Sequence, residues 1–164
     1  MFTEGTILYH KTAKNQPREA IVQQVKDKDP STQDFTTYIP ISNAQNKLQL
    51  WSNQGHQILY LTSRKKIEEI GKIKEILSLY NFPEGQLLHR SDGKEYQDVV
   101  EKNLPDILIE DDCESIGGLP MTVYPKIRSD IQKRVFLVSV REFAGIDDLP
   151  DDILDLIRDD IRIR

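Results

Sequence analysis

The sequence predicts an α/β fold: a parallel sheet with helices packed on both faces, a three-layer sandwich in one domain over residues 1–164. Three observations predict it. Short apolar runs at 57–61, 86–89 and 107–109 read as buried strands. Segments with helical spacing, at 65–80 and 95–103, alternate with them. Finally, the run Ile107-Leu108-Ile109 leads straight into Glu110, Asp111 and Asp112, and ligands in open α/β sheets gather at the carboxyl ends of strands.

The elements follow in order. Residues 6–9 (Thr-Ile-Leu-Tyr) read as a first strand, or as the apolar start of a loop after one. Pro17 suits the first turn of a helix with Ile21, Val22 and Val25 on one face, and Asp29-Pro30-Ser31-Thr32 stops it. The stretch to Ile41 is irregular, with Phe35, Tyr38 and Ile39 to pack it down. Ser42 is the expected N-cap of a helix carrying Ala44, Leu48 and Trp51, closed by Gly55. After the strand at 57–61, the helix at 65–80 should bury Ile67, Ile70, Ile73, Ile76 and Leu77. Pro83 and Gly85 end it before the strand at 86–89. Val99 and Val100 face inward from the helix at 95–103. Beyond Gly117-Gly118, residues 121–124 read as a strand, and Pro125 opens a helix with Ile127 and Ile131. Residues 135–140 form the most β-prone run. Pro150 starts a last amphipathic helix, with Asp147, Asp148, Asp151 and Asp152 at its N-terminal end.

Composition narrows the function classes. At 38% hydrophobic and 30% charged residues, the chain reads as soluble and globular, with enough length for one sizeable core. A net charge of −5 argues against nucleic acid as a main partner, because phosphate contacts need a basic face. Cys113 is the only cysteine, which excludes an internal disulfide and a cysteine zinc cluster. The sequence carries neither an apolar run of about 20 residues nor a basic-then-apolar leader. The expectation is a cytoplasmic protein without membrane or nucleic-acid partners.

Three strand ends carry residues suited to chemistry. Thr62-Ser63-Arg64 sets hydroxyls and backbone N–H groups at a helix start, where anions are favoured. Asp111-Asp112 offers hard oxygen ligands for a divalent cation such as Mg²⁺. Near the chain start lies Thr3-Glu4-Gly5-Thr6, where Gly5 lets backbone approach a ligand.

These motifs resemble those of the haloacid dehalogenase-like (HAD) phosphohydrolases over residues 3–140. The family's second motif, an apolar strand ending in Thr or Ser, is matched by Ile58-Leu59-Tyr60-Leu61-Thr62. Its fourth, an apolar strand ending in paired Asp, is matched by Ile107-Leu108-Ile109-Glu110-Asp111-Asp112. The first, Asp-x-Asp-Gly-Thr, is met by Phe2-Thr3-Glu4-Gly5-Thr6, a degraded copy. The resemblance implies a Rossmann-like sheet without a large cap domain, since residues 27–41 are too few for one. It also implies a phosphorylated substrate, Mg²⁺ at Asp111 and Asp112, phosphate held by Thr62, Ser63 and Arg64, and acid/base work by Glu4. The third-motif lysine is Lys94 or Lys102, with Lys94 favoured by its place after Ser91-Asp92-Gly93.

One departure is chemical. Phe2 stands where the family's attacking Asp belongs. A second register makes residues 6–9 the motif's strand and puts His10 in the nucleophile's place with Thr12 two residues on, at the cost of the Glu-Gly-Thr match. The implied function is a phosphatase-type hydrolase with an altered nucleophile position. The alternative is an inactive phosphate-binding or protein-interaction module. Elsewhere, His10, His56 and His89 have no zinc-ligand spacing, and Gly117-Gly118 lacks a phosphate-loop pattern.

Overall fold

A computed structural model describes residues 1–91 and 93–163, residues 159–163 by their backbone alone. Two pairs of short strands run parallel. In the first, β3 (Ile58–Leu61) lies beside β4 (Gly85–Leu88); in the second, β5 (Ile107–Asp111) lies beside β6 (Phe136–Val140). A third pair, β1 (Leu8–His10) and β2 (Tyr38–Pro40), is antiparallel. Six α-helices among the described residues complete a mixed α/β protein: α1 (Arg18–Lys26), α2 (Ala44–Asn53), α3 (Ile67–Leu79), α4 (Tyr96–Asn103), α5 (Ser129–Gln132) and α6 (Leu154–Ile163). Among the described residues each sheet has two strands, so the continuous parallel sheet expected from the sequence is present there only as separate short pairs.

Residues 1–3 run between the two parallel pairs. The Leu61 N–H donates to the Met1 carbonyl at 2.8 Å, and the Thr3 N–H to the Leu61 carbonyl at 3.0 Å. On the other side the Phe2 N–H donates to the Ile109 carbonyl at 3.1 Å. Of the two readings of residues 6–9, a strand holds for Leu8 and Tyr9, which begin the antiparallel β1–β2 ribbon and not the parallel pairs; the extreme N-terminal residues take the place between β3 and β5.

Burial explains the strand pattern. In β5, Ile107 and Ile109 pack into one core cluster and Leu108 into another, as side-chain alternation requires. Phe136 and Val138 against Leu137 repeat this in β6. Ala44, Leu48 and Trp51 of α2, with Ile73, Ile76 and Leu77 of α3, fill the first cluster. Val100 of α4 and Ile131 of α5 fill the second. Ile67, expected on the buried side of its helix, is 75% exposed because it opens the first turn.

Three further expectations are corrected. Residues 121–124 form no strand; the chain makes 3₁₀ turns at Leu119–Met121 and Tyr124–Lys126, each with a proline in its first turn. Ser42 sits at φ 47 and does not cap α2, whose N-cap is Asn43. The Asp147 carboxylate receives the Asn43 N–H at 3.2 Å, so a residue expected at the last helix anchors the N-cap residue of α2 instead. Among the described residues no helix is long and apolar enough to cross a membrane.

Candidate functional site

Parallel strands bring their carboxyl ends to one side, and the polar residues after β3, β5 and β6 meet there beside residues 2–6. They line a cavity of about 250 Å³ that includes Glu4, Ser63, Arg64, Asp111 and Glu142. Phe2, Tyr38, Tyr96 and Met121 supply its apolar surface. The short segment between α1 and β2 reaches over it: Thr32, Gln33 and Tyr38 line the cavity, and Arg64 stacks on the Phe35 ring at 4.2 Å.

On one side of the cavity, the Thr62 hydroxyl donates to Glu4 Oε1 at 2.6 Å. The Ser63 N–H and the Thr3 hydroxyl donate to Glu4 Oε2 at 3.0 and 2.7 Å. Arg64 Nε lies 3.4 Å from Oε1. Arg64 is itself steadied by the Ser63 hydroxyl. The residues after β3 thus form an anion cradle, and the anion in it is a carboxylate of the same chain.

On the opposite side sit three more carboxylates. Ligand oxygens of Asp111, Asp112 and Glu142 lie within 4.8 Å of one another. Asp111 Oδ2 accepts from the Thr6 hydroxyl at 2.7 Å, and Oδ1 from the Cys113 N–H at 3.0 Å. Glu142 accepts from the Ser115 N–H at 2.6 Å and the Ser115 hydroxyl at 2.7 Å. Asp112 accepts the Glu142 N–H at 3.0 Å and lies 3.5 Å from the Arg18 guanidinium. Burial raises the pKa values of Asp111 and Glu142 above the ordinary carboxylate range, and neighbouring carboxylates add to the rise. A group of three hard oxygen donors, two of them buried, could hold a divalent cation. Gly5 closes against this cluster: a Cβ on it would lie 2.9 Å from Asp111 Oδ2.

The other sequence candidates are engaged otherwise or lie elsewhere, although Phe2, Glu110 and Cys113 also line the cavity. Glu110 turns from the cluster and accepts the Val123 and Tyr124 N–H groups at 2.8 and 3.0 Å, tying down the loop before α5. Phe2 packs edge-on against Tyr96 with ring centroids 5.3 Å apart. Lys94 and Lys102 line a separate cavity of about 640 Å³ beside β4 and α4. Asp92 lies outside the described residues. His10 is buried in the β1–β2 ribbon, its Nδ1 2.8 Å from the Thr12 hydroxyl. Burial and nearby carboxylates raise the Cys113 thiol's pKa far from the reactive range.

Two contributors to the cleft were not singled out from sequence. Glu142 lies two residues beyond β6, so the strand-end rule that singled out Asp111 and Asp112 points to it as well. Arg18 carried no local signal. It reaches the cleft because α1 packs against the turn at Glu114–Ile116, where its Nε donates to the Glu142 carbonyl at 2.7 Å. No protein-family model, curated protein or solved structure matches the chain.

Proposed function

We propose that this chain is a HAD-like protein that recognises a phosphorylated ligand in the cleft, with Mg²⁺ held by Asp111 and Glu142 and with Asp112 behind them. The reading rests on one observation: Ser63 and Arg64, which with Thr62 form the anion cradle, line a single cavity with Asp111 and Glu142. Support for a Rossmann-like, three-layer sheet comes from residues 1–3, hydrogen-bonded to both β3 and β5. Two core clusters on opposite faces of the strands support it too.

The chemistry favours binding over covalent catalysis. A phenylalanine ring has no electron pair to attack phosphorus, and Phe2 is committed to its stack on Tyr96. Mg²⁺, when bound, would offset the carboxylate charge and give the phosphate oxygens a hard partner. Thr62 and Ser63 N–H would hold the phosphoryl oxygens and Arg64 their charge. The net charge of −5 supports a small ligand over nucleic acid, and the single cysteine fits a reducing, cytoplasmic setting.

A second reading is hydrolysis by water, favoured by Glu4 lying in the cleft. Its carboxylate would take a proton from water as the water oxygen attacks phosphorus and the P–O ester bond breaks. The proton then passes to the leaving alcohol.

Thermal unfolding with Mg²⁺ tests the binding reading. Saturation at 100-fold the dissociation constant should stabilise by about 2.7 kcal/mol, and Asp111→Asn should abolish the shift. A flat response in the wild-type protein overturns it. Sustained phosphate release from a phosphomonoester panel, lost in Glu4→Gln, would establish the second reading.

A further inference from the structure

We propose that Glu4 is a built-in occupant of the oxyanion cradle, and that a phosphorylated ligand enters by exchanging with its carboxylate. The inference rests on the ligand reading above and adds how that site is controlled.

The hydroxyl and backbone donors of the cradle are already committed to Glu4. Thr62 Oγ1 at 2.6 Å, Ser63 N–H at 3.0 Å and Thr3 Oγ1 at 2.7 Å all point at the two Glu4 oxygens, with Arg64 Nε at 3.4 Å. The remaining Thr62 capacity accepts the Arg64 N–H at 3.1 Å. Only 11% of the Glu4 side chain is exposed. A phosphate arriving here meets committed donors and a like charge beside it, and both oppose binding.

Charge makes the state with Glu4 in place a poor anion site overall. The cavity is lined by Glu4, Glu110, Asp111 and Glu142, and among the described residues its one cationic lining residue is Arg64, already paired with Glu4. Moving Glu4 out frees Arg64 and three hydrogen-bond donors together. Rotation about the glutamate side-chain bonds is enough to vacate the cradle, leaving the Thr3 N–H bond to the Leu61 carbonyl intact. Binding then requires a minor, cradle-open state, and apparent affinity falls by the fraction of molecules in it.

Tungstate, a tetrahedral oxyanion, is titrated calorimetrically in Mg²⁺ buffer into four full-length proteins: wild type, Glu4→Gln, Glu4→Ala and the double variant Glu4→Ala/Arg64→Ala. Glu4→Ala should bind at least about tenfold more tightly than wild type, as expected when the competent state is a tenth or less of the population. Glu4→Gln, which keeps one acceptor but loses the charge, should fall between them. The double variant should lose the gain, because the anion then lacks the guanidinium that Glu4 had.

Equal affinity in wild type and Glu4→Ala overturns the exchange, as does a gain that survives in the double variant. Should Glu4→Ala fail to fold, the wild-type and Glu4→Gln titrations decide alone: tighter binding supports exchange and equal binding overturns it. Where Mg²⁺ still stabilises the wild type, such a failure touches the exchange only. Failure of every protein to bind Mg²⁺ or tungstate removes the ligand reading as well.

Discussion

The Thr6 hydroxyl donates to Asp111 Oδ2 at 2.7 Å, joining residues 105 positions apart. Both side chains are buried, so this bond sets the Asp111 carboxylate in the one orientation that also receives the Cys113 N–H. The start of the chain thereby fixes the carboxyl end of β5.

Thr6→Val keeps the side-chain shape and removes the donor. It should cost about 1–3 kcal/mol, the usual penalty for orphaning a buried acceptor, read from denaturant unfolding. Thr6→Ser should recover most of it. If a cation binds at Asp111, saturating Mg²⁺ should shrink the Thr6→Val deficit.

Gly5→Ala separates backbone strain from crowding. Gly5 lies at φ +83, and its added Cβ would meet Asp111 Oδ2 at 2.9 Å and Glu142 Cγ at 3.3 Å. Gly55, at φ +93, has nothing within 4 Å of the equivalent position. Gly55→Ala should show only the left-handed backbone cost, roughly 1–2 kcal/mol. Gly5→Ala should exceed it in denaturant midpoint shift and weaken Mg²⁺ binding, because the carboxylates must move.

Arg18→Met should push stability and cation affinity in opposite directions. The Arg18 side chain is 12% exposed, and its guanidinium reaches Asp112 at 3.5 Å and Glu114 at 2.6 Å. Removing it leaves Asp112 unneutralised beside Asp111, so the protein should lose about 1–3 kcal/mol in the absence of metal. The same loss makes the cluster more attractive to a divalent cation, so calorimetry should show tighter Mg²⁺ binding. Weaker binding would mean that Arg18 acts mainly by placing Glu142.

The buried carboxylates set a pH dependence. Asp111 has a folded pKa above its ordinary value, so the folded state holds more protons than the unfolded one between the two values. Its contribution is present in full below the ordinary carboxylate range, near pH 4, and is lost as pH rises through the raised value. The buried Met1 amino group, lowered to about 5, and His10, also lowered by burial, pull the other way. The difference between wild type and Asp111→Asn therefore isolates the carboxylate. In metal-free buffer, Asp111→Asn should gain on the wild type as pH rises from 4 to 7, followed by melting temperature.

Much of the local architecture was legible without coordinates. Apolar runs too short for helices marked β3, β5 and β6, and helical spacing marked α2, α3 and α4, because alternation and the 3.6-residue period are written into the sequence. Polar residues directly after apolar strands pointed to Thr62, Ser63, Arg64 and Asp111, which line or border one cleft. Lys94 was chosen by the same kind of proximity along the chain and lies at another cavity, since position after a turn says little about which way a loop leaves the sheet.

By itself, then, the sequence determined the strands β3 to β6, the helices α2 to α4, and which strand ends carry acids, hydroxyls and a guanidinium. Only the tertiary structure decided what those groups face. It turned Glu110 onto the Val123 and Tyr124 N–H groups while Asp111 met Thr6. It brought Arg18 and Glu142 together across 124 positions, and put the Glu4 carboxylate into the Thr62 cradle. The reason is one of range: periodicity acts between neighbours in the chain. A buried charge is satisfied by whichever donors the packing of distant strands sets within about 3 Å of it.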